Sequence, residues 1–242
     1  MIIWEHPVRV GFMSFRRTVT NMAGNAAARR AAPAIASRGI RQFLTKAIDG
    51  FPGFPGAREV GRKYLAKTHD IDAAVKGVIE QHVRLAGAQG FVTNLGGVVT
   101  LAAAIPANLA GLALLQVRMA AAIAHLRGYE VAEDRVRAAA LMTLLGEDGV
   151  RDALKGKEVL GTPHDVAVGI GEIDPTVLES ITTHVTQALV TRVGGKFATL
   201  AIAKGVPVIS GAVSAGVDAF GTYSVGRYAD REFPPHIMIE RA

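Results

Sequence analysis

Arg118 and His125 stand seven residues apart. On a helix of 3.6 residues per turn that spacing puts both on one stripe, so they can face the same side of a cleft. Asp218, in a second weakly charged region, supplies a carboxylate, and Lys196 a further cation. Arg118, His125 and Asp218 together would make a proton-transfer site, and with Lys196 they would line the pocket of a hydrolase. The same trio fits a structural ion-pair network, which perturbs pKa values without any catalysis.

Other catalytic patterns fail on inspection. "AVSAG" around Ser214 has Ala212 where G-x-S-x-G requires glycine, and its context is helical, not a strand entering a sharp turn. "GGK" at Gly194–Lys196 lacks the earlier glycine and the following Ser or Thr of a phosphate loop, and "GIGEID" from Gly169 breaks the dinucleotide pattern. The seven histidines contain no H-E-x-x-H and there is no cysteine, so no metal centre, disulfide, thiolate nucleophile or resident cofactor is predicted.

The elements that would carry these residues read as helices. In 242 residues, strand-like alternation is scarce and no repeat or low-complexity tract occurs. After Pro33 an apolar helical face runs through Ile35, Ile40, Phe43, Leu44 and Ile48 to Gly50. "GFPGFPG" (Gly50–Gly56) then breaks any helix and leaves two phenylalanines free to pack. A helix is predicted over 57–87, divided by Asp70 as a cap, and another from Pro106 as first helical residue to Arg127, ended by Gly128. In the latter, Ile105, Leu109, Leu112, Gln116, Met119, Ile123 and Leu126 form a packing seam with one polar member.

Further on, a helix over 133–146 turns Val136, Ala140, Leu144 and Leu145 inward, and Gly146–Asp174 reads as a long loop or a short-helix connection. Asp174-Pro175 starts a helix carrying Val177, Ile181, Val185 and Leu189. In the last segment Gly211, Ala215 and Ala219 make a small-residue face beside a polar stripe of Ser210, Ser214, Asp218 and Thr222.

Residues 85–117 carry no charge, a length that could cross a bilayer. The ten Leu, Ile and Val of 95–117 would contribute about −3 to −6 kcal/mol to insertion. Asn108, Gln116, Pro106 and three glycines oppose that gain. A central hairpin, bent at Gly96 and Gly97 and buried in the fold, is the favoured reading. The uncharged run 205–217 is too short to span.

Charge is concentrated at the start of the chain. Residues 1–48 hold eight Lys or Arg against Glu5, and the rest of the chain is close to neutral within a total of +6. Residues 1–41 are therefore read as a basic amphipathic extension. Trp4, Phe12 and Phe15 would meet a bilayer interface, and Arg16 and Arg17 anionic lipid. The same pattern would suit a nucleic-acid arm, a transit peptide, a solvated helix face or docking on the protein's own core, the nucleic-acid reading being disfavoured. No secretory signal is read, and cytoplasmic residence is the expectation.

"GFVTNLGGVVTLAAAIPANLAGLALLQVRMAAAIAHLRGYE" resembles the central signature of the EcsC family, and "GGKFATLAIAKGVPVISGAVSAGVDAFGTYSVGRYADREF" its C-terminal signature. The matching positions are Gly96, Gly97, Pro106, Asn108, Arg118, Gly128, Tyr129, Lys196, Pro207, Gly211, Asp218, Gly226 and Arg227. Ser210 and Ser214 stand where the family pattern has more glycine, and the leader before residue 42 lies outside the likeness. The family is named for a protein of a bacterial ABC-transporter operon, and the resemblance implies a peripheral or membrane-associated protein with no established reaction.

The expectation is an all-α protein: the extension 1–41, then one EcsC-like helical domain over 42–235 built around the central apolar hairpin. Its expected role is a membrane-surface or lipid-associated module at the inner face of the membrane. Its partners would be anionic lipid and a protein partner or a second copy of itself. The alternative is the hydrolase described above.

Overall fold

The computed structural model describes residues 45–95, 101–157, 159, 161–169, 174, 176, 177, 179–185, 188 and 207–236. Among these residues the fold is all-α. The helices are α1 (Ala57–Thr68), α2 (Ile71–Leu95), α3 (Leu101–Leu126), α4 (Asp134–Met142), α5 (Gly146–Lys155), α6 (Pro163–Val168) and α7 (Pro207–Glu232), with a 3-10 turn at Thr143–Leu145. Residues 45–49 and 179–185 are also helical. Phe51 and Phe54 close the 50–56 turn as an isolated bridge, their rings stacked 4.8 Å apart.

Local chemistry sets the breaks. His69 takes a left-handed conformation (φ 54°) and its N–H returns to the Leu65 carbonyl, ending α1. Asp70 then starts α2 by accepting a hydrogen bond of 2.7 Å from the Ala73 N–H. At the end of α3, Gly128 (φ 95°) donates to the His125 carbonyl and Tyr129 to that of Ala124. This reciprocal pair satisfies two carbonyls the helix would otherwise leave open.

Helix α3 is the centre of the domain. Every residue from Ala113 to Ala124 is buried, as expected of a helix that is apolar on all sides. Helices α1, α2, α4 and α7 pack around it. Arg127 meets Asp72 and Asp230, Arg118 meets His82, and Gln116 meets Thr222. Helix α2 therefore runs antiparallel to α3 and α7, which are parallel to each other.

Small residues let these helices approach. Helix α7 packs most extensively along α2, and a Cβ on Gly87 would lie 3.6 Å from the Cβ of Ala219, which places the predicted small-residue face against α2. At Gly226 a Cβ would meet Ile79 of α2 at 3.0 Å and Met119 of α3 at 3.2 Å. That glycine marks the point where the three helices press together.

Two expectations change in detail, and one open alternative is decided. Helix α3 begins at Leu101, so Pro106 lies inside it and is not its first residue. Pro106 therefore withholds the N–H that would have bonded the Ala102 carbonyl, one hydrogen bond lost in the second turn of the helix. Helix α2 continues past residue 87 to Leu95. At Gly87 the helix packs directly on Ala215 and Ala219 of α7, where a Cβ would make ordinary contacts of 3.6–3.7 Å. The Gly146–Asp174 stretch resolves as the short-helix alternative, α5 and α6, the latter opened by a capping box between Thr162 and Asp165.

Candidate functional site

The polar residues buried in the bundle form three steps along its length. Arg127 ties all three long helices together at one end, its Nη1 2.6 Å from Asp72 Oδ1 and its Nη2 2.7 Å from Asp230 Oδ1. Burial by itself would lower the Arg127 pKa, but the hydrogen bonds to Asp230 and Asp72 outweigh it and raise the value. Its Nε is buried without a partner among the described residues.

The second step is Arg118, only 3% exposed. Its Nε donates to His82 Nε2 at 3.1 Å and its Nη1 to the Pro55 carbonyl at 3.4 Å, while its guanidinium lies 3.9 Å from the centre of the Phe54 ring. His82 Nδ1 lies 2.7 Å from the Val78 carbonyl. The imidazole must then carry its proton on Nδ1, leaving Nε2 as acceptor. Burial, with Arg118 adding its charge, pushes the His82 pKa down to about 3, and burial lowers Arg118 to about 10. The third step is neutral: Gln116 Nε2 donates to Thr222 Oγ1 at 3.2 Å.

Beyond these steps the bundle loses its charges. Residues 85–95 of α2, 101–117 of α3 and 207–217 of α7 contain no Asp, Glu, Lys, Arg or His. The register set by Arg127, Arg118 and Gln116 brings these three segments to the same end of the bundle, opposite the Arg127 clamp. At its border α7 exposes Val217, Phe220 and Tyr223, with Phe220 72% exposed, and α2 exposes Leu85. Ordinary packed helices turn such side chains inward.

The sequence-predicted residues divide as follows. The contacts of Arg118 lead to the 54–55 turn and to α2. His125 lies next to Gly61 of α1, and its pKa is lowered by burial and by Arg58 and Arg62, with Glu130 opposing. Asp218 is half-buried on α7. Arg227 is exposed and reaches Asp230 within α7. Pro207 is the first residue of α7, and Pro106 and Asn108 lie within α3. Trp4, Phe12, Phe15, Arg16, Arg17, Gly96, Gly97 and Lys196 lie outside the described residues.

Spacing alone offered His125 as the partner of Arg118, and missed His82. The available signal was the Val78 to His82 step, which buries the imidazole one turn after an apolar residue. Val217, Phe220 and Tyr223 were also missed, though their i, i+3, i+6 spacing marks one helix face.

Several positions that carry the family likeness are packing positions. A Cβ on Gly128 would sit 2.4 Å from the His236 carbonyl oxygen, and the Tyr129 ring stacks on His236 and meets Phe233 edge-on. Gly226 permits the three-helix crossing described above.

Among the described residues no group of His and acidic side chains is placed to hold a metal ion, and no helix is long and apolar enough to cross a membrane. No curated protein and no solved structure matches the chain. The family comparison matches the EcsC protein family over residues 63–234. That match spans α2 to α7 with the end of α1, the whole of the three-helix bundle, and the chain belongs to the EcsC family.

Proposed function

We propose that this protein works at the surface of an anionic membrane, as a peripheral module on the cytoplasmic side that engages lipid with the charge-free end of its bundle. The observation that carries this reading is the gathering of three uncharged helix segments at one end, with Val217, Phe220 and Tyr223 exposed at their border. Segments 85–95 and 207–217 are each about 16 Å long at 1.5 Å per residue. That is half of the roughly 30 Å of hydrocarbon in a bilayer, but sufficient to enter the interface, where apolar faces sink about 5–10 Å.

The basic segment 1–41, with Arg16 and Arg17 beside Phe12 and Phe15, adds attraction for anionic lipid. Arg118 is engaged in the hydrogen bonds of the buried core, with Asp218 among none of its contacts, so the membrane reading is preferred to the hydrolase. Flotation with anionic vesicles tests it. The protein should rise with vesicles at low ionic strength and less so at high salt, and Val217→Ser with Phe220→Ser should weaken the association. A protein that stays at the bottom of the gradient at low ionic strength contradicts the proposal.

A further inference from the structure

We propose that the cleft between α1 and α2 is a binding site for a phosphate group, carried by a lipid headgroup or by a soluble phosphoester. The cleft has a volume of about 390 Å³ and is lined by Tyr64 and Lys67 of α1 and by Lys76, Gly77, Glu80 and Arg84 of α2. Three cations thus face one carboxylate. Among the described residues none of the three cations is engaged in an ion pair, although Glu80 lies one helical turn from both Lys76 and Arg84. Several arginines elsewhere in the domain do find acids: Arg58 with Glu130, Arg127 with Asp72 and Asp230, Arg137 with Asp49, and Arg231 with Glu147.

The floor of the cleft is built by a missing side chain. A Cβ on Gly77 would lie 2.5 Å from Cδ1 and 2.7 Å from Cε1 of Tyr64, so the aromatic ring rests on the backbone of α2. Ammonium and guanidinium groups around an open, water-facing floor provide charge-assisted donors for phosphate oxygens, and the ring provides a flat surface for the attached organic group. The placement along α2 fits a lipid source. Arg84 is the last charge before the uncharged segment 85–95, so it stands at headgroup depth when that end meets a bilayer. The site itself does not require the membrane reading, because a soluble phosphoester offers the same chemistry.

The test uses the full chain, a variant with Lys67→Gln, Lys76→Gln and Arg84→Gln, and a control with Lys63→Gln, Lys155→Gln and Lys157→Gln that removes the same charge elsewhere. All six positions are exposed, and circular dichroism confirms that each variant is folded. Inorganic phosphate should shift the NMR signals of Tyr64 and Arg84, with the shifts absent from the cleft variant; this outcome upholds the site, and the source is soluble if binding to phosphatidic acid vesicles is the same in the cleft variant and the control. If phosphate alone gives no shift, a lipid source still requires that binding to phosphatidic acid vesicles fall about fivefold per cleft cation and clearly less in the control. Equal losses in both variants, with no response to phosphate, overturn the site and leave membrane binding standing. A phosphate response without vesicle binding upholds the site and defeats the membrane reading. No response to either probe defeats both.

Discussion

Arg118 donates to His82 across 3.1 Å inside the bundle, a buried guanidinium hydrogen-bonded to a neutral imidazole with no carboxylate beside it among the described residues. The pair holds α3 against α2, and the Phe54 ring closes over the cation. Its dependence on protonation gives the fold a defined response to acid.

His82 has a native pKa of about 3 against an ordinary value of 6.5. Below pH 6.5 the unfolded chain takes up a proton that the native imidazole refuses, so this contribution to stability is present above that pH and is lost as the pH falls toward 3. The slope should approach about 1.4 kcal/mol per pH unit within that window. Urea titrations at pH 7, 6, 5 and 4 should show this loss in the native protein and a smaller one in His82→Gln. Equal slopes in the two proteins would assign the acid sensitivity to other groups.

The Arg127 clamp should divide unequally between its two acids. Asp230 is largely covered and Asp72 mostly exposed. Asp72→Ala should therefore change stability by no more than about 0.5 kcal/mol, and Arg127→Met, which leaves the covered Asp230 only its longer contact to the exposed Arg227, should cost about 2 kcal/mol. Comparable losses in both variants would show that the exposed pair matters as much as the covered one.

Two glycines of α7 should respond in opposite directions. Gly226→Val drives a side chain into Ile79 and Met119 and should cost about 1–3 kcal/mol. Among the described residues nothing lies within 4 Å of a Cβ placed on Gly216, so Gly216→Ala should stabilise the helix by about 0.5–1 kcal/mol. Thermal melts decide it, and a destabilised Gly216→Ala would mean that this face of α7 is already covered in solution.

Gly128→Ala should be more damaging than its chemistry suggests. A side chain there meets the His236 carbonyl at 2.4 Å and also needs a left-handed backbone, which costs about 1–2 kcal/mol before any clash is counted. The expected result is a loss of more than 2 kcal/mol in urea unfolding. A near-neutral effect would show that the 233–236 segment moves aside freely.

The helices were legible because their punctuation is local. Asp70 caps α2 and Gly128 ends α3 where the sequence places them. Proline was ambiguous: Pro207 is a first helical residue, whereas Pro106, with the same signal, sits inside α3 because the chain before it is already helical. The polar partner of Gln116 and the imidazole partner of Arg118 were not legible, since Thr222 and His82 lie 106 and 36 residues away on other helices. Only packing brings them together. The charge-free end was half visible, as two separate apolar runs; that they share one end of the bundle with the end of α2 follows from the helix register.

The absence of cysteine makes the most direct measurement simple: Phe220→Cys gives one attachment point for an environment-sensitive fluorophore at the border of the charge-free end, and Glu59→Cys gives another at the clamp end. With anionic vesicles at low ionic strength, the label at 220 should shift to the blue and brighten, while the label at 59 stays unchanged. A label at 220 that does not respond, or a response confined to 59, would contradict end-on engagement of the membrane.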